Sequence, residues 1–141
     1  MSNLNNSAHF TVAYACMLIA ALLPFACAGL AKWPGFGKSR REGGFDNHHP
    51  RAWLANTTGW QARANAAQQN SFEALPFFIG AVLAAHQLGA PQAVVDILAM
   101  LFITLRIIYV AMYVADLPAI RSAIWGLALL VNIAILLVGW R

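Results

Sequence analysis

Four apolar stretches, each long enough for the ~20 residues that a helix needs to cross a ~30 Å hydrocarbon layer, take up most of this chain. They run roughly from His9 to Leu30, Trp60 to Leu88, Ala93 to Val114 and Leu117 to Trp140. The expected fold is an all-α membrane protein. It is a four-transmembrane-helix bundle forming one domain over residues 1–141, with helices near 9–30, 60–88, 93–114 and 117–140 and one sizeable loop, 31–59. Composition agrees: only 10% of residues are charged and 60% are hydrophobic, whereas a soluble domain averages about a quarter charged.

The connections differ in kind. Residues 31–59 are rich in Gly, Pro and charge, as loops are. A tight Gly89-Ala90-Pro91 turn joins the second helix to the third. Asp116-Leu117-Pro118 joins the third to the fourth, where proline can open the new helix at its first turn. Lys32, Lys38, Arg40, Arg41 and Arg51 fall in the loop and Arg121 on the same side, against Arg141 alone on the other. The positive-inside rule then places the loop in the cytoplasm and both termini outside. The net charge of +4 is read as this topology signal and not as a nucleic-acid patch. No Lys or Arg precedes the first apolar run, which argues for a retained helix over a secretory signal.

Several residues have a plain reading. Cys16 and Cys27 stand about 16 Å apart along one helix, too far for a disulfide, and read as packing residues. Trp33, Trp53, Trp60, Trp125 and Trp140 fall mostly near segment ends, as interfacial anchors do. Asp46, His48 and His49 are adjacent in a Gly-rich loop, poor geometry for a metal, and read as solvated. No metal site is expected.

Against that background the polar residues inside the spans stand out, because an ionisable group there costs several kcal/mol unless paired or wetted and marks a candidate site. On the second helix Arg63, Asn70 and Glu73 share one face, with Ala66 on the same stripe and Gln69 beside it. On the third, Arg106, Tyr109 and Tyr113 share a face. Glu73 and Arg106 are expected to meet as a buried ion pair. Arg63, Asn70, Tyr109, Tyr113 and Arg121 read as the lining of a cytoplasm-facing cavity for a small anion, since arginines suit carboxylates and tyrosine hydroxyls complete a polar wall. Arg121 lies where a cation can favour a thiolate; a snorkelling anchor is the other reading of it.

The segment from Arg63 to Phe77, RANAAQQNSFEALPF, and the stretch from Arg106 to Ser122, RIIYVAMYVADLPAIRS, resemble the two signatures of the MAPEG family, the membrane-associated proteins in eicosanoid and glutathione metabolism, in its bacterial type. The resemblance spans all four helices and the loop. It implies a homotrimer in the bacterial inner membrane, with glutathione as cosubstrate held between subunits near the cytoplasmic face. By position, Arg63, Asn70 and Glu73 would contact glutathione, Tyr109 and Tyr113 would line the site, and Arg121 would stabilise the thiolate. The chain departs from the family pattern at Ala62, Ala66 and Ala74, where an acidic residue, a second arginine and a polar or aromatic residue are usual. A missing guanidinium removes about 1.5–3 kcal/mol from an anion site.

The function so implied is a membrane glutathione transferase or peroxidase acting on lipophilic electrophiles or lipid hydroperoxides that arrive from membrane lipid. The alternative is a non-catalytic MAPEG-fold subunit or interaction protein, favoured by Ala66. A small transporter or channel would need a polar stripe through both leaflets, and the outer half of the second helix is apolar.

Overall fold

The computed structural model describes residues 9–140. Among these the chain is all helical, without strands. Four long helices, α1 (Val12–Lys32), α3 (Gly59–Gln87), α4 (Gln92–Val114) and α5 (Pro118–Leu137), pack on one another, and a short α2 (Pro50–Ala55) lies in the loop. The segment Met1–Ala8 and Arg141, on which part of the topology reading rests, lie outside the described residues.

Each boundary has a local cause. Thr11 caps α1, its hydroxyl accepting from the Tyr14 N–H at 3.3 Å. Gly89 turns the chain after α3 with φ +69°, a conformation that costs glycine little. Pro118 occupies the first turn of α5, where its missing N–H costs nothing. Asp116 holds φ +62° in the α4–α5 turn, a left-handed position that aspartate tolerates better than most residues. Pro24 and Pro76 lie inside α1 and α3, which continue through them.

α3 packs most extensively against α1, and α4 against α5; α3 also contacts α4 and α5. Contact surfaces are built from small residues, Ala13, Ala20, Ala64, Ala67, Ala81, Ala85, Ala99 and Ala128 all being buried, which lets backbones approach closely as they do between helices in membranes. Phe78 stacks on Phe102 at 4.2 Å between ring centroids at the centre of the core. The large aliphatic residues mostly face outward: Leu18, Leu22, Ile97, Leu101, Leu130 and Leu137 are exposed. An apolar exterior of this extent fits lipid contact, not water.

α1, α4 and α5 are each long and apolar enough to cross a membrane. α3 is the longest helix, at 29 residues, but its amino-terminal half carries Gln61, Arg63, Gln68, Gln69 and Asn70 and is less apolar than the other three. The loop is ordered by its own contacts. Phe45 packs edge-on against Phe36 and Trp53, and the Lys32 ammonium lies 4.9 Å from the Phe45 ring centre. Trp53 is thus packed within the loop. Asp46 accepts from the Arg40 guanidinium at 3.0 Å and from the His48 N–H at 2.9 Å, with His49 3.5 Å away. The hydrogen bond from the His48 N–H, more than the neighbouring Arg40 charge, holds the Asp46 carboxyl below the usual carboxylate range.

Candidate functional site

α3, α4 and α5 bring their polar residues together at the end of the molecule that carries the α4–α5 turn. Arg106 is the best-fixed of them. It is buried, its guanidinium donates to Asn70 Oδ1 at 2.9 Å and to the Ser71 hydroxyl at 3.5 Å, and it lies 4.4 Å from the Tyr109 ring centre. Ser71 in turn donates to the Ala67 carbonyl at 2.8 Å. Tyr109 is buried and meets Tyr113 edge-on at 5.6 Å. The Arg121 guanidinium sits over Tyr113, 4.2 Å from its ring centre. A chain of cation–π and edge-to-face contacts therefore runs from Arg106 to Arg121, each contributing about 0.5–1.5 kcal/mol and together fixing where Arg121 points.

Between these residues opens a cleft of about 220 Å³ lined by Asn70, Tyr109, Tyr113, Arg121, Ser122 and Trp125. Its walls present two phenols, a carboxamide, a hydroxyl and one guanidinium. Such a set receives an anion with bidentate charge-assisted bonds at one point and neutral donors around it. Trp125, read from sequence as a segment-end anchor, is part of this wall.

Arg63 and Glu73 are placed differently. Arg63 Nε donates to the Val114 carbonyl at 3.0 Å, and its guanidinium pairs with Asp116 at 3.4 Å. It satisfies a carbonyl at the end of α4 that has no helical partner and braces the turn leading to Arg121. The expected Glu73–Arg106 ion pair does not form: among the described residues the cation is taken by Asn70 and Ser71, and Glu73 accepts one long bond, 3.4 Å, from Asn70 Nδ2. Glu73 is exposed on the protomer surface. Asn70 stands between the two charges because a carboxamide offers an acceptor to one neighbour and a donor to the other. Ala66 leaves the stripe between Arg63 and Asn70 without a second cation.

A second cavity of about 220 Å³ continues from the first, sharing Asn70 and Trp125 and bounded further by Glu73, Phe77, Phe102, Arg106, Leu129 and Asn132. Asn132 and the pairing of Asp116 are among the features that the sequence patterns do not single out. Asn132 is visible as a lone polar residue in the apolar run of α5, a signal of the same kind as Arg106. Asp116 lies in a turn, where a charge is unremarkable, and only the packing of α3 on α4 makes it the partner of Arg63.

A sequence model described as the MAPEG family matches residues 12–140. No curated protein and no solved structure matches the chain.

Proposed function

The chain belongs to the MAPEG family, and from that premise we propose that it is a membrane glutathione transferase or peroxidase acting on lipophilic electrophiles or lipid hydroperoxides. Family membership and three helices apolar enough to span make it an integral membrane protein of glutathione and eicosanoid metabolism. The reading beyond that rests on one observation: Asn70, Tyr109, Tyr113, Arg121 and Ser122 converge on a single cleft.

In this proposal α3 is a fourth span, the residue 31–59 loop faces the cytoplasm, and three copies form a homotrimer with glutathione between neighbours. The exposed Glu73 supports that arrangement. A carboxylate on the outer face of a membrane helix is costly against lipid, and a subunit boundary wetted by a zwitterionic tripeptide removes the cost. Glu73 then meets the ammonium group, while Asn70 and the tyrosines orient the backbone. Arg121 lies beside the thiol, where its charge favours the thiolate. The thiolate attacks the electrophilic carbon and the leaving group departs with its electron pair. Arg63 acts on the α4–α5 turn that delivers Arg121.

Ala66 supports a second reading, a MAPEG-fold subunit without turnover. Glutathione binding to the purified protein, together with conjugation to a generic aryl halide, decides between them. Binding and turnover, with turnover lost in Arg121→Ala, are expected for the enzyme; neither in the wild-type protein would sink it.

A further inference from the structure

The cleft of about 220 Å³ lined by Tyr109, Tyr113 and Arg121 is incomplete as a site for a tripeptide. It is smaller than the ~300–1,000 Å³ of sites that enclose a small ligand. Its lining carries one cation, Arg121, which in the reading above stands beside the thiolate. Arg63 does not line it and is paired with Asp116. Nor does Arg106, whose guanidinium donates to Asn70 and Ser71. Glutathione brings two carboxylates besides its thiol, more negative charge than this cleft answers.

A separate cleft, of about 390 Å³, opens between α3 and the loop helix α2. Its polar lining is Arg51, Asn65, Gln68 and Gln69, with Leu54 and Phe72 beside them. Among the described residues, none of these four polar side chains forms a hydrogen bond or an ion pair within the protomer. Polar groups on a membrane helix are costly without partners. Asn70, which lines the first cleft, follows Gln69 directly, within about 1.5 Å of its depth along α3. Two polar surfaces of one protomer thus lie at the same level on different faces of one helix. A contact between unlike surfaces of successive copies is heterologous, the kind that closes into a ring.

We propose that the α2–α3 cleft of one copy forms the opposite wall of its neighbour's glutathione cleft, and that Arg51 binds the glycine carboxylate of the tripeptide there. The inference rests on the glutathione reading of the first cleft. That reading also selects the carboxylate. Glu73 meets the ammonium of the γ-glutamyl end, so the carboxylate still without a partner at the far end is that of glycine. A guanidinium suits it, since it offers two parallel donors to a carboxylate. The three carboxamides suit the rest of the ligand, because each presents a donor and an acceptor, as a peptide group does. A lipid phosphodiester only accepts and would leave the carboxamide oxygens unpaired.

The test is calorimetry on the full-length protein in detergent, with glutathione and with its glycine monoethyl ester, which lacks that one charge. The wild-type protein should bind glutathione at least tenfold more tightly than the ester, the scale of a charged hydrogen bond. Arg51→Ala should lose glutathione affinity by that factor and bind the two alike, and Arg51→Lys should keep part of the preference. Equal affinities in the wild-type protein, or a preference that survives Arg51→Ala, overturn the proposal. So does a loss of retained phospholipid in Arg51→Ala with glutathione affinity unchanged, which would assign the cleft to a lipid headgroup. Sharing between copies is read from aryl-halide turnover at low glutathione, in assemblies that mix Arg51→Ala with Arg121→Ala protomers. Shared sites should give more turnover than either variant alone, because some sites then pair an intact Arg121 with an intact Arg51 from the neighbour. Turnover no higher than that of the better single variant overturns the shared site. Absence of glutathione binding in the wild-type protein refutes the transferase reading and this inference with it; binding with an ester preference independent of Arg51 refutes this inference alone.

Discussion

The two ends of the molecule use the same kinds of residue to opposite effect. At the end with the α3–α4 turn, polar side chains tie one helix of the protomer to another. Asp96 of α4 accepts from the Ala13 N–H at the start of α1 at 2.8 Å and from Gln92 Nε2 at 2.7 Å. His86 donates from Nδ1 to the Val82 carbonyl at 2.8 Å and stacks on Tyr14 at 4.8 Å. These groups join α1 to α3 and α4. At the end with the α4–α5 turn, Glu73 keeps one long bond, and Tyr113 and Arg121 border an open cleft. A charge in an apolar helix is thus no sign of function by itself. What distinguishes Asp96 from Glu73 is whether neighbours within the protomer use up its hydrogen-bonding capacity.

The comparison predicts that substitutions at the cleft change chemistry and that those at the far end change stability. The largest effect belongs to Arg121→Ala. If its charge stabilises a thiolate as a fixed donor stabilises an oxyanion, the rate of aryl-halide conjugation at saturating glutathione should fall about 10²–10³-fold, while the thermal midpoint falls only by the loss of the Tyr113 cation–π contact. A loss smaller than tenfold would reduce Arg121 to a membrane-edge anchor.

Arg106→Met comes next and crosses the two categories. Removing the guanidinium leaves Asn70 Oδ1 without its 2.9 Å donor and Tyr109 without its cation. A charged hydrogen bond is worth about 1.5–3 kcal/mol, so thermal stability and glutathione affinity should both drop on that scale. A drop in stability alone would place Arg106 with Asp96. Ala66→Arg is the gain-of-function counterpart. It restores the cation missing from the Arg63–Asn70 stripe, and calorimetry should show glutathione binding tightened at least tenfold on the same scale. No change would mean that the stripe does not face the ligand.

Asp96→Ala should cost about 1–2 kcal/mol, the range for losing a helix cap, seen as a lower thermal midpoint. Glutathione binding and turnover should stay at wild-type values. An affinity loss without a stability loss would reverse the contrast between the two ends.

How much of this was legible in the sequence follows the same division. The apolar runs locate all four long helices, because segments of that length and composition have few other options, although the first begins at Val12, not His9, and the last ends at Leu137. Period 3.6 places Tyr109 and Tyr113 on one face with Arg106, and the contacts among them follow. Partner choice was not legible. Opposite charges at similar depth suggested Glu73 with Arg106, yet rotation of α3 about its axis turns Glu73 outward and puts Asn70 and Ser71 against the guanidinium. A rotation of this size leaves every residue's depth unchanged, so spacing alone does not register it. Likewise Arg63 reads as a ligand group from its stripe, but packing delivers it to Val114 and Asp116 across the interface with α4.

The smallest effect concerns the loop at the cleft-side end. Glu42 accepts from the Ser39 N–H at 3.0 Å and from the Ser39 hydroxyl at 2.8 Å, a local clasp at the 3₁₀ turn Arg40–Glu42. The Ser39 hydroxyl and N–H, in that order, hold the Glu42 carboxyl below its usual value. Because the folded loop favours the ionised form, the clasp is complete above the ordinary carboxylate pKa and is lost as the pH falls through the lowered one. Gly44 ties the same segment together, since a Cβ there would collide with the Lys38 carbonyl. Amide exchange of the loop, corrected for the intrinsic effect of pH, should therefore quicken on acidification within the acidic range. In Glu42→Gln the acid-dependent part should shrink to what Asp46 contributes, with glutathione binding at neutral pH untouched. If Glu42→Gln instead weakened glutathione binding, the boundary between the structural loop and the functional end would have to move to include Ser39–Gly44.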